Sequence, residues 1–183
     1  LRGLREAGRQ ARAIPLPPAP ELAGRFLAGL GFALTAGQQA ALADIGADLA
    51  TDRPMMRLVQ GDVGSGKTVV AAAAALRAVA AGCQVAIMAP TELLAEQHRK
   101  SFERWFRPLG IDVGWLSGGM PRRLRDSTYA ALADGSVPVV IGTHALFQPD
   151  LVFHRLALIV VDEQHRFGVQ QRLRLVEKGT LGD

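Results

Sequence analysis

Apolar and polar positions divide the chain into two regimes. Over Glu21 to Leu30 and Ala36 to Leu49 the apolar residues recur at three- and four-residue steps, which predicts two helices. Gly31-Phe32-Ala33-Leu34-Thr35 separates them, and Thr35 is placed to cap the second. From Arg57 onward short apolar runs alternate with longer helical segments. The pattern predicts a strand at 57–60, a helix at 67–81, a strand at 84–89 and a helix at 92–106. It continues with a strand at 112–116, a helix at 121–133, and strands at 138–142 and 157–161. Strands separated by helices need crossover connections, so the expected class is α/β, a mainly parallel sheet with helices on both faces. Ligands of such sheets gather at the carboxyl ends of the strands, so chemistry is expected just after each one.

The first 20 residues fit neither regime. Arg2, Arg5, Arg9 and Arg12 fall at helical spacing, and the Pro-rich run from Ile14 to Pro20 then stops any helix. Residues 1–20 are read as a linker from an upstream domain, and residues 21–183 as one domain. The first residue is Leu1 rather than Met, and the expectation is a piece of a longer protein.

Composition adds limits more than direction. The chain has 183 residues, 49% hydrophobic and 21% charged, enough for one α/β core. Its longest apolar stretches, Val69 to Leu76 and Leu156 to Val161, fall well short of the roughly 20 residues that cross a bilayer. No membrane span or signal peptide is expected. Cys83 is the only cysteine, which excludes a disulfide framework and a thiolate metal cluster and points to a reducing, cytoplasmic compartment. Twenty-one basic against 17 acidic residues give a net charge of +4. That balance suits a polyanionic partner and equally a solvated basic surface.

Gly61-Asp62-Val63-Gly64-Ser65-Gly66-Lys67-Thr68 carries the first chemistry. The spacing Gly-x-x-x-x-Gly-Lys-Thr, after a predicted strand and before an Ala-rich helix, is that of a nucleoside-triphosphate loop. Gly61, Gly64 and Gly66 permit turns that let successive amides converge on phosphate at a helix N-terminus. Lys67 adds a point charge for the outer phosphates, and the Thr68 hydroxyl is the expected Mg²⁺ ligand. The competing reading is a Gly-rich turn with a surface lysine.

Leu156 to Val161 forms an apolar strand that ends on Asp162 and Glu163. Two carboxylates at a buried strand end are costly without a task. Asp162 is placed to hold Mg²⁺ and Glu163 to orient or deprotonate the attacking water. The competing reading is a strand-end turn with two solvated acids.

Read together, the phosphate loop and Asp162-Glu163-Gln164-His165-Arg166-Phe167-Gly168-Val169 resemble the first helicase lobe of the RecG family of superfamily II DNA helicases. The resemblance extends through Met88-Ala89-Pro90-Thr91-Glu92-Leu93-Leu94-Ala95-Glu96-Gln97-His98 and Gly142-Thr143-His144-Ala145-Leu146-Phe147-Gln148, and covers about residues 26–179. The transcription-repair coupling translocases are similar, but usually carry Phe where Ser65 stands and Glu where Gln164 stands. The resemblance implies a RecA-like P-loop NTPase domain, with ATP and Mg²⁺ as cofactors. Branched or duplex DNA is the implied substrate, and a second helicase lobe and an upstream wedge domain of the same protein are implied partners. A bacterial cytoplasmic monomer is the implied setting.

Residue roles follow the motifs. Phe32 and Gln38 resemble the adenine-recognition segment; on physical grounds alone an aromatic and an amide at this spacing are core and cap. Pro90 and Thr91, Ser117 and Gly118, and Thr143 and His144 resemble segments that contact the nucleic-acid backbone, with helix capping as the alternative for Thr91. Arg122, Arg123 and Arg125 extend that track or form an exposed basic helix face. Gln164 and His165 resemble residues that link the nucleotide state to interlobe contacts. The four histidines lack ligand spacing, so zinc is not expected, and Trp105 and Trp115 are expected in the core rather than as base-stacking platforms. An isolated lobe is expected to bind Mg-ATP but turn it over poorly, because the arginines of the second lobe are worth about 10³ to 10⁵ in related phosphoryl transfer. A small-molecule kinase or signalling NTPase and a non-catalytic scaffold are the readings from other classes.

Overall fold

The computed structural model describes residues 14–51 and 66–162. The strand expected at 57–60, the loop residues Gly61, Asp62, Val63, Gly64 and Ser65, the acidic-motif residues Glu163, Gln164 and His165, and the arginines of residues 1–13 lie outside them.

Among the described residues the elements are α1 (Pro20–Gly29), α2 (Ala36–Leu49), α3 (Lys67–Ala80), β1 (Gln84–Met88), α4 (Glu92–Phe106), β2 (Val113–Leu116), α5 (Arg122–Asp134), β3 (Val139–Gly142) and β4 (Leu156–Val161). Short 3₁₀ turns follow α4 and β3, at Arg107–Leu109 and His144–Phe147. These bounds fall within a residue or two of those predicted from periodicity. Pro20 opens α1 at a position where a missing N–H costs nothing. Thr35 caps α2 as expected and completes a capping box: its hydroxyl accepts from the Gln38 N–H, and the Gln38 side chain accepts from the Thr35 N–H.

The four strands are parallel, in the order β2-β3-β1-β4. Moving from β1 to β2 skips over β3, and the chain then steps back to β3. Right-handed crossovers that travel in opposite directions place their helices on opposite faces. The packing agrees. Val85 and Ile87 of β1 face one core together with α1, α2, α3 and α4, while Ala86 and Met88 face the other with Leu132 of α5. Helices therefore cover both faces, as predicted.

The thicker layer holds the amino-terminal helices. Ala72, Ala75 and Ala78 of α3 are fully buried, and their small side chains let the helix lie close between the sheet and its neighbours. Phe26 anchors α1: it meets Trp105 edge-on at 6.0 Å and Phe106 at 6.2 Å. Arg77 of α3 ties down α2 by donating to the Gly46 carbonyl. The Pro-rich run is tied to the domain at Leu16, which is buried and whose N–H donates to the Leu49 carbonyl at 2.7 Å, while its prolines are exposed. The packed unit thus already includes Leu16, inside the stretch expected as linker. Among the described residues no helix is long and apolar enough to cross a membrane.

Candidate nucleotide site and nucleic-acid edge

Strand register decides how the motif residues are arranged. Leu116, Gly142, Met88 and Val161, the last residues of β2, β3, β1 and β4, pair in one row across the sheet. One further rung of hydrogen bonds closes the edge: Thr143 N–H to the Leu116 carbonyl, Ala89 N–H to Gly142 and Asp162 N–H to Met88. Across the carboxyl edge the order is therefore Ser117, Thr143, the Pro90-Thr91 segment and Asp162. All four motif segments that follow described strands share one edge, with the acidic residue at one end.

At that end β4 delivers Asp162, whose side chain is only 9% exposed, against the N-terminus of α3. Lys67 Nζ donates to Asp162 Oδ1 at 3.0 Å, and His98 Nε2 lies 2.7 Å from Oδ2. Burial alone would raise the Asp162 pKa; hydrogen bonds from His98 and Lys67 and their positive charge outweigh it and hold the pKa below the ordinary aspartate value. An ionised carboxylate only accepts hydrogen bonds, so the proton facing it belongs on His98 Nε2. Thr68, half-buried in the first turn of α3, completes this corner. Behind it is a cavity of about 20 Å³ walled by Ala71, Ile87, Phe102 and Val160. Pockets for small ligands measure about 300–1,000 Å³, so this cavity is too small to enclose a nucleotide.

Gly66 supplies the turn into α3. It has φ +77°, and a Cβ there would stand 1.9 Å from Gln38 Nε2. Gln38 Nε2 donates to the Gly66 carbonyl at 3.4 Å while its Oε1 serves the capping box. The cap reading of Gln38 is therefore realised, and the residue sits against the end of the phosphate loop. Phe32 is 52% exposed beside Leu27, Leu34 and Gln39 on an open apolar surface, not in the core.

Along the rest of the edge, the Thr91 hydroxyl caps α4, accepting from the Leu94 N–H at 3.3 Å. Ser117 and Thr143 are buried, and Thr143 Oγ1 has no hydrogen-bond partner among the described residues. His144 is exposed beside Gly118, where a Cβ would lie 3.6 Å from its Nε2. Arg122, Arg123 and Arg125 are exposed on α5. Trp115 is half-buried under the Arg99 guanidinium, 5.2 Å from its ring centroid, and Trp105 belongs to the Phe26 cluster, so both serve packing. No group of three metal-ligating side chains occurs among the described residues.

His98 is the site residue that sequence reasoning missed. In the sequence it stands only as one of four histidines without ligand spacing. A signal existed in its position seven residues after Thr91, two helical turns on and on the same face, but its target on β4 follows only from the sheet order.

The family model for DEAD/DEAH box helicase matches residues 35–180. The chain is 56% identical over 176 residues to the ATP-dependent DNA helicase RecG of Escherichia coli K12, covering 96% of this chain and 25% of that protein. It is 54% identical over 179 residues to RecG of Haemophilus influenzae, covering 98% of this chain and 26% of that protein. The chain thus spans about a quarter of the length of these relatives. In structure it is similar to RecG bound to a three-way DNA junction, with a TM-score of 0.83, 41% identity and coverage of 91% of this chain and 23% of that one. The sheet is that of a RecA-like domain, and the chain belongs to the DEAD/DEAH box helicase family.

Proposed function

We propose that this chain is the first, ATP-binding motor lobe of a DNA helicase that remodels branched DNA. The observation that carries the reading is the single strand-end edge, with the Lys67–Asp162 pair at one end and Ser117, Thr143 and Thr91 along the rest. Nucleotide and nucleic acid then occupy adjoining halves of one rigid surface. The RecG relatives are named as ATP-dependent DNA helicases, and the similar structure holds a three-way DNA junction.

In this reading the amides of Gly61, Asp62, Val63, Gly64, Ser65 and Gly66 cradle the phosphates at the α3 N-terminus. Lys67 exchanges Asp162 for phosphate oxygens. The residues present fit a magnesium ion: a buried carboxylate with a depressed pKa faces the first turn of α3, which carries the Thr68 hydroxyl. Thr68 and Asp162 would hold the ion, directly or through water, and it would neutralise charge on the phosphate oxygens. Glu163 orients the attacking water and accepts its proton as the bond to the γ-phosphorus forms and the bridging oxygen leaves with ADP. Gln38 hydrogen-bonds adenine with Phe32 packing near the base, and Gln164 and His165 report the nucleotide state to a second lobe. Pro90, Thr91, Ser117, Gly118, Thr143 and His144 grip the DNA backbone, which positions a strand without reading its sequence. A second lobe and a wedge domain of the same protein complete a monomeric machine in the bacterial cytoplasm.

ATPase rates of the full-length protein with branched, duplex and single-stranded DNA, over a salt series, test this. Stimulation strongest with branched DNA and falling with salt is expected. Failure of every DNA form to stimulate turnover overturns the helicase reading.

A further inference from the structure

Asp162 has two oxygens, and each has its own partner. Lys67 takes Oδ1 at 3.0 Å and His98 takes Oδ2 at 2.7 Å. The two partners differ in mobility. In the proposed reaction Lys67 leaves for phosphate, whereas His98 is held by its helix: Ala95 before it and Phe102 after it are fully buried against the sheet. The His98 side chain is 14% exposed and helps wall the small cavity behind the site. A hydrogen bond from a ring fixed in this way sets the plane of the carboxylate it meets, and a metal-binding carboxylate depends on such a partner for its orientation.

We infer that His98 is a positioning residue for Asp162, donating from Nε2 to Oδ2 so that Oδ1 stays aimed at the magnesium position after Lys67 departs. The assignment rests on the proposed nucleotide site and adds a residue to it. Thr91, the cap of the same helix, lies seven residues upstream, about 10 Å along the axis, so one helix joins the nucleic-acid edge to the carboxylate.

The test uses the full-length protein and a fluorescent, non-hydrolysable ATP analogue, with magnesium titrated from zero. His98→Ala is expected to raise the magnesium concentration for half-maximal binding about tenfold, the low end for losing a hydrogen-bond partner of a metal ligand. Affinity for the analogue with magnesium chelated should stay within about twofold, since His98 touches the carboxylate and not the phosphates. His98→Gln, which keeps an N–H donor at similar reach, should recover most of the magnesium response. Should His98→Ala fail to fold, His98→Leu replaces it as the donor-free variant of similar volume. An unchanged magnesium response in the donor-free variant overturns the inference. So does equal weakening with and without magnesium, or a Gln variant as impaired as the donor-free one. Absence of magnesium-dependent binding in the unmodified protein removes the proposed nucleotide site itself, whereas a normal response there with insensitive His98 variants removes only this inference.

Discussion

Gly142 shows how one residue type is fixed by its surroundings. A Cβ there would lie 2.2 Å from the Leu116 carbonyl oxygen, a backbone atom that cannot step aside without parting β2 from β3. Gly142→Ala is therefore expected to destabilise the fold by about 1–3 kcal/mol, the range for overpacking, measured by denaturant unfolding. Gly66 meets a softer obstacle, the end of the Gln38 side chain, and there the positive φ sets the demand for glycine. Cys83 is a second test. Its thiol is buried, and burial pushes its pKa above the ordinary cysteine value, only partly offset by the charge of Arg155. A raised folded-state pKa means the protonated thiol's contribution is complete below the unfolded-state value and is lost as pH rises through the folded one. Native protein at pH 8 should thus react with a thiol reagent far more slowly than denatured protein; equal rates would show that Cys83 is accessible. The sequence carries Gly142 inside a recognisable motif, yet the reason for glycine lies in its pairing with Leu116, which no local pattern contains.

The elements themselves were legible where periodicity governs. Each described helix and strand falls where three- to four-residue steps or short apolar runs place it, because one-sided burial imposes those periods. Neighbour relations were not legible. Strand order, the shared row of strand ends and the His98–Asp162 contact arise from crossovers, and an apolar run does not say which run lies beside it. Helix α1 is held through Phe26, so Phe26→Ala is expected to cost about 3–5 kcal/mol, measured by chemical denaturation. A cost below 1 kcal/mol would mean that the aromatic cluster does not anchor the helix. At the start of α2, Thr35→Ala removes half of the capping box for about 1 kcal/mol. It should also weaken nucleotide binding, because Gln38 links that cap to the Gly66 carbonyl. Unaltered binding would separate the cap from the loop.

For the whole molecule the decisive feature is that one sheet edge carries every described motif segment, and the proposed function assigns two ligands to it. The edge runs from Ser117 through Thr143 and Thr91 to Asp162, so the same sheet and α4 connect its two ends. The chain spans a quarter of its RecG relatives, and in the proposed machine the remaining length supplies the arginines and the grip on branched DNA. Everything in that scheme depends on Lys67 exchanging Asp162 for phosphate. Titration calorimetry of magnesium and a non-hydrolysable ATP analogue into the full-length protein and its Lys67→Ala variant tests this most directly. The account predicts a single saturable site in the unmodified protein and no measurable heat of binding in the variant; unchanged affinity in Lys67→Ala would contradict it.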